Sequence, residues 1–141
     1  MSEPLGAIDL AGRREEVGRW AARLVVFLRI MAGISMLKGL YHWADVLGIG
    51  DKTDGGFGAG PIGWQVATVF FAVIDLVAAV GLWLAAAWGG VVWLTAAISM
   101  AAVELFFPQI FGGRLWVTAI EAGMVVAYVG FALMAARERP A

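Results

Sequence analysis

Four stretches of the chain are almost wholly apolar, and short polar or glycine-rich segments separate them. They run from about residue 21 to 44, 65 to 88, 91 to 111 and 115 to 136. A helix rising about 1.5 Å per residue needs some 20 residues to cross the ~30 Å hydrocarbon core of a bilayer. The pattern therefore predicts an all-α protein, an integral membrane four-helix bundle that runs up-down-up-down. A polar segment, residues 1–19, comes first, and a charged tail, residues 137–141, comes last. The first could lie as a short amphipathic helix on the membrane surface, although Gly12 and Gly18 weaken it.

The polar positions inside the spans change the picture most. The second span, QVATVFFAVIDLVAAVGLWLAAAW, carries a single ionisable residue, Asp75. A carboxylate at that depth costs roughly 2.5 to 3.5 kcal/mol on insertion scales, so it needs a partner, a proton or water. It serves either as a hydrogen-bonded staple between helices or as part of a proton or substrate path. Its helical face includes Thr68, Phe71, Ala72, Ala78, Ala79 and Leu82, with alanines that let a neighbour approach closely. The first span holds Arg29 and Lys38, whose nine-residue separation puts them on opposite faces at about 100° per residue. Lys38 shares a stripe with Ser35, Tyr41, His42 and Asp45. Arg29 is placed to snorkel to the headgroups. In the third span Glu104 shares a stripe with Trp93, Ala97, Met100 and Ala101. In the fourth, Glu121 aligns with Arg114, Val117, Thr118, Val125 and Tyr128.

Each span thus contributes an ionisable group. Counted from the expected span ends, Lys38, Glu104 and Glu121 share a level about 10 Å below one surface, with Asp75 one to two turns deeper. One lysine cannot neutralise three acids in a low dielectric, so at least one acid carries a proton, or Arg114 reaches down to help. His42, one turn above Lys38, is either the outer end of a proton relay or an interfacial residue bonded to loop backbone. The candidate binding or proton-path residues are Lys38, His42, Asp75, Glu104 and Glu121, with Tyr41, Arg114 and Tyr128 in secondary positions.

The connectors are irregular. Residues 46–63 contain seven glycines in eighteen positions and end near Pro61, which reads as a loop and a possible lid. It lacks the G-x-x-x-x-G-K-[ST] pattern of a phosphate cradle, and Asp51 with Asp54 supplies too few oxygens for calcium. Trp88, Gly89 and Gly90 are expected to reverse the chain, as are Phe111, Gly112 and Gly113.

Composition agrees with a lipid environment: 62% of residues are hydrophobic and 15% charged, against about a quarter charged in soluble domains. The net charge of −1 leaves no basic patch for nucleic acid. The absence of cysteine removes disulfides, thiolate metal sites and thiol catalysis, and a single histidine leaves no paired-histidine ligation. The first residues open with acid and glycine, unlike a signal peptide. Tryptophans 20, 43, 64, 88 and 116 mark interfaces. An orientation with both termini cytoplasmic puts Arg13, Arg14, Arg19, Arg23, Arg137 and Arg139 inside, against Lys52 and Arg114 outside.

The segments VATVFFAVIDLVAAVGLWLAAAWGGVVWLTAAIS and VELFFPQIFGG resemble a family of small, uncharacterised four-span inner-membrane proteins of alphaproteobacteria. That resemblance covers about residues 20–136 and implies a four-helix architecture in a bacterial inner (plasma) membrane, with no activity attached. LRIMAGISMLKG, with Arg29, Gly33 and Lys38, and the second-span acid Asp75 give a fainter similarity to DoxX-like membrane proteins. Some of those accompany redox enzymes and quinones.

No nucleophile–base pair, metal constellation or nucleotide motif stands out, so an enzyme is not expected. The first expectation is an accessory or assembly subunit of an inner-membrane complex, held together by the buried polar cluster. The alternative is a proton- or quinone-linked transport or redox protein. No cofactor follows from the residues themselves, although a quinone or lipid would fit the second case. The expected partners are membrane lipids and another membrane protein or a second copy.

Overall fold

A computed structural model describes the backbone of residues 3–50 and 55–138, and within those ranges the side chains from Gly18 onward. The side chains of Arg13, Arg14, Glu15 and Glu16, and the whole of Asp51, Lys52, Asp54 and Arg139, lie outside the described residues.

The described chain is helical: α1 (Glu3–Leu47), α2 (Ile62–Trp83), α3 (Ala87–Phe106), a single turn α4 (Pro108–Phe111) and α5 (Leu115–Arg137). A 3₁₀ turn, Phe57–Ala59, interrupts the loop after α1. Among the described residues, four segments are long and apolar enough to cross a membrane: Gly18–Leu47, Ile62–Trp83, Ala87–Phe106 and Leu115–Arg137.

α1 passes through Gly12 and Gly18 without a break. Two glycines cost about 1 kcal/mol each in a helix interior, which the surrounding leucine, alanine, arginine and glutamate can offset. Gly48, at φ 71°, ends it. The Gly48 N–H donates to the Asp45 carbonyl and the Ile49 N–H to that of Ala44. This is the closure in which a left-handed residue caps orphaned carbonyls.

The end of α2 uses the same device with a different residue. Ala85 takes φ 50°, its N–H donating to Leu82 and that of Ala86 to Gly81. The reversal therefore comes before the expected Trp88-Gly89-Gly90 segment, which instead forms the first turns of α3. Those glycines serve packing. A Cβ on Gly89 would overlap the Gly81 backbone, and one on Gly90 would meet the Tyr128 hydroxyl. The two helices touch backbone to backbone, as small residues permit in membrane bundles.

α3 stops at Phe106 rather than continuing to residue 111. Pro108 has no N–H to donate and disfavours helical geometry at the residue before it, and Phe107 sits at φ −129°, ψ 58°. Gly112 and Gly113, both with positive φ, then turn the chain into α5.

The core divides in two. Around the α2–α3 turn it is apolar, with Leu28, Met31, Ala32, Ala78, Leu82 and Trp93 buried together. Phe27 and Phe131 pack beside it at 5.2 Å between ring centroids. A second apolar group, Ala67, Phe71 and Met100, lies toward the 48–61 loop. Between and beside these groups lie the buried polar residues Ser35, His42, Thr68, Asp75, Glu104 and Glu121. The buried side of α2 (Thr68, Phe71, Ala72, Asp75, Ala78, Ala79 and Leu82) is the face read from the helical period. α5 is the least enclosed: its buried residues are Glu121 and Ala135.

Candidate functional site

The helical period brings Lys38 on α1, Asp75 on α2 and Glu121 on α5 to one point. Lys38 Nζ donates to Glu121 Oε1 at 2.5 Å and lies 3.8 Å from Asp75 Oδ1. Gly39 makes this possible, because α1 and α2 approach so closely there that a Cβ would collide with the Leu76 side chain. Asp75 is completely buried and Glu121 nearly so, while the lysine is partly exposed. Neither oxygen of Asp75 accepts a hydrogen bond, and Glu121 Oε2 also has no partner.

Asp75 lies about 20 Å along α2 from Ile62, beyond the middle of the helix. Its carboxylate is nevertheless within reach of the Lys38 ammonium, which Glu121 also meets. Glu104, expected at the level of Lys38 and Glu121, is held separately. The early stop at Pro108 leaves it in the last turn of α3, where its Oε2 accepts the Arg114 backbone N–H at 2.7 Å. Arg114 is the N-cap of α5 and offers no side-chain cap of its own. Glu104 thus places negative charge at the positive end of the α5 dipole. The Arg114 guanidinium does not reach down to the acids; it lies 6.0 Å from the Trp116 ring centroid.

Above Lys38 opens a cleft of about 790 Å³. Lys38, Tyr41, His42, Asp45, Glu104 and Arg114 supply its charged and polar edge. His42 is buried, with its ring among those of Tyr41, Phe71 and Phe111 at 5.7 to 5.8 Å. Its Nδ1 has no hydrogen-bond partner. Tyr128 stands apart, edge-on to Trp93 at 5.5 Å in the apolar half. Among the described residues, no three histidine, aspartate or glutamate side chains converge as a metal site.

The model of one protein family matches residues 22–139. The chain belongs to DUF6163, a family of unknown function. The DUF6163 match takes in Lys38, His42, Asp75, Glu104 and Glu121. No curated protein and no solved structure matches the chain.

In this DUF6163 protein two further polar groups lie on the same helix faces as the acids. The hydroxyls of Thr68 and Thr118 are buried without a partner. Thr68 is two turns from Asp75 on the same face of α2, and Thr118 is three residues before Glu121 on α5. The helical period puts both on the faces of Asp75 and Glu121, but a threonine within a span is common and carries no signal of its own.

Proposed function

We propose that this DUF6163 protein crosses a bacterial inner membrane up-down-up-down with both termini in the cytoplasm, and that its Lys38–Asp75–Glu121 cluster is a protonatable binding site in a transport or redox-coupled role. The observation that carries this reading is the state of Asp75: buried, without a hydrogen-bond donor to either oxygen, and beside a lysine that opens onto a largely apolar cleft with a charged edge. A staple evolved only for packing would satisfy its polar atoms, because an unpaired buried group costs about 1 to 3 kcal/mol. Ionisable groups within a membrane span are otherwise kept where they bind or move something. The cleft, within the roughly 300 to 1,000 Å³ range of small-molecule sites, has room for a small polar ligand or the head of a quinone or lipid.

Infrared difference spectra of the protein in vesicles, taken between acid and alkaline buffer, test this. A protonated-carboxyl band that exchanges in D₂O and disappears in Asp75→Asn or Glu121→Gln is the expected result. A folded wild-type protein with no such band would return the cluster to a packing role.

A second reading, an accessory or assembly subunit, draws support from α5. A Cβ on Gly123 or Gly130 would meet nothing within 4 Å, and few residues of this helix are enclosed. Copurification from native membranes tests it, and a protein that emerges alone speaks against it.

A further inference from the structure

Arg29 and Gly33 take no part in the cluster around Asp75, yet they sit together on another feature. A groove of about 360 Å³ runs between α1 and α2, lined by Ala32, Gly33 and Met36 on one side and Ala79, Val80 and Trp83 on the other. Gly33 leaves its wall open: a Cβ there would meet nothing within 4 Å. At one end the Arg29 guanidinium lies 5.4 Å from the Trp83 ring centroid. Trp83 is the last residue of α2, so this cation sits where the helix leaves the apolar layer, at the depth that tryptophan favours. Among the described residues, no carboxylate pairs with Arg29.

An occupant of this groove must be apolar along its length and anionic at the end that meets Arg29. We propose that the groove is a binding site for one anionic phospholipid, with its phosphate on Arg29 and an acyl chain along Gly33, Ala32 and Ala79. A guanidinium offers paired donors that match phosphate oxygens, and the Trp83 face holds its plane. Basic side chains between membrane helices attract acidic headgroups for the same reason. The site is independent of the cleft above Lys38 and stands whatever that cleft binds.

The test uses the full chain in nanodiscs of equal phosphatidylglycerol and phosphatidylcholine, released for native mass spectrometry. The wild type should retain phosphatidylglycerol in preference to phosphatidylcholine by about fivefold, the scale of one cation near a membrane surface. Arg29→Gln should remove the preference, whereas Arg29→Lys should keep part of it. Gly33→Leu, which fills the groove, should reduce retention of both lipids with the protein still folded. Equal retention of the two lipids by the wild type would overturn the proposal, as would unchanged binding in Gly33→Leu. Lipid-free dimers that Gly33→Leu separates would give the groove to a second copy instead, and would overturn it too.

Discussion

The two halves of the bundle are built from the same helices and solve opposite problems. Near the α2–α3 turn, Gly81 and Gly89 let two backbones touch, and Trp93, Leu82 and Ala78 fill the remaining space. Toward the 48–61 loop the helices instead enclose three acids and a histidine beside a partly exposed lysine, with several polar atoms left without partners. Association in lipid gains nothing from transferring apolar surface out of water, so close packing must hold the first half. That half can then carry a second one whose polar groups are not tuned for stability.

The contrast breaks most readily at Lys38. Lys38→Met leaves Asp75 and Glu121 facing each other without a cation, and should cost about 3 to 5 kcal/mol in detergent–denaturant unfolding. Adding Asp75→Asn and Glu121→Gln to it should restore much of that loss. In the packed half, Gly89→Val drives a side chain into the α2 backbone. It should cost about 1 to 3 kcal/mol, seen as a lower melting temperature by size-exclusion fluorescence. Glu104→Gln weakens the charge-assisted bond to the Arg114 N–H and should cost about 1.5 kcal/mol by the same assay. Ala85→Gly acts in the other direction, because the left-handed conformation at φ 50° strains any residue with a Cβ. Unfolding should show a gain of about 0.5 to 1 kcal/mol after glycine's own entropy loss. Smallest of all is Asp75→Asn alone, which removes the 3.8 Å ion pair with Lys38 and the desolvation cost of a buried carboxylate together, and should move stability by less than about 0.5 kcal/mol. A large loss there would mean that Asp75 anchors the packing.

Much of this was legible in the sequence because a membrane span must be apolar along its length and a helix repeats every 3.6 residues. The period alone put Thr68, Asp75 and Ala78 on the buried side of α2, where they lie. It also gave Lys38 and Glu121 stripes on which they could meet. Depth was harder, since it depends on where each helix ends. Pro108 stops α3 early, so Glu104 caps α5 instead of joining Lys38. The α2–α3 reversal carries no local signal: it rests on an alanine in a conformation usually left to glycine, while the nearby glycines serve helix contact. The glycine pair was visible, but composition cannot tell a turn from a tight crossing. That the hydroxyls of Thr68 and Thr118 are enclosed without partners is visible only in the structure.

The chain order of the three charged residues has a consequence for biosynthesis. Lys38 leaves the ribosome first, Asp75 next and Glu121 last, so Asp75 is the first of the two acids to come within reach of the lysine. In the complete bundle the ammonium lies 2.5 Å from Glu121 and 3.8 Å from Asp75. The final helix to enter therefore supplies the nearer acid, and a nascent chain truncated before α5 should hold Lys38 and Asp75 in a more tightly paired arrangement.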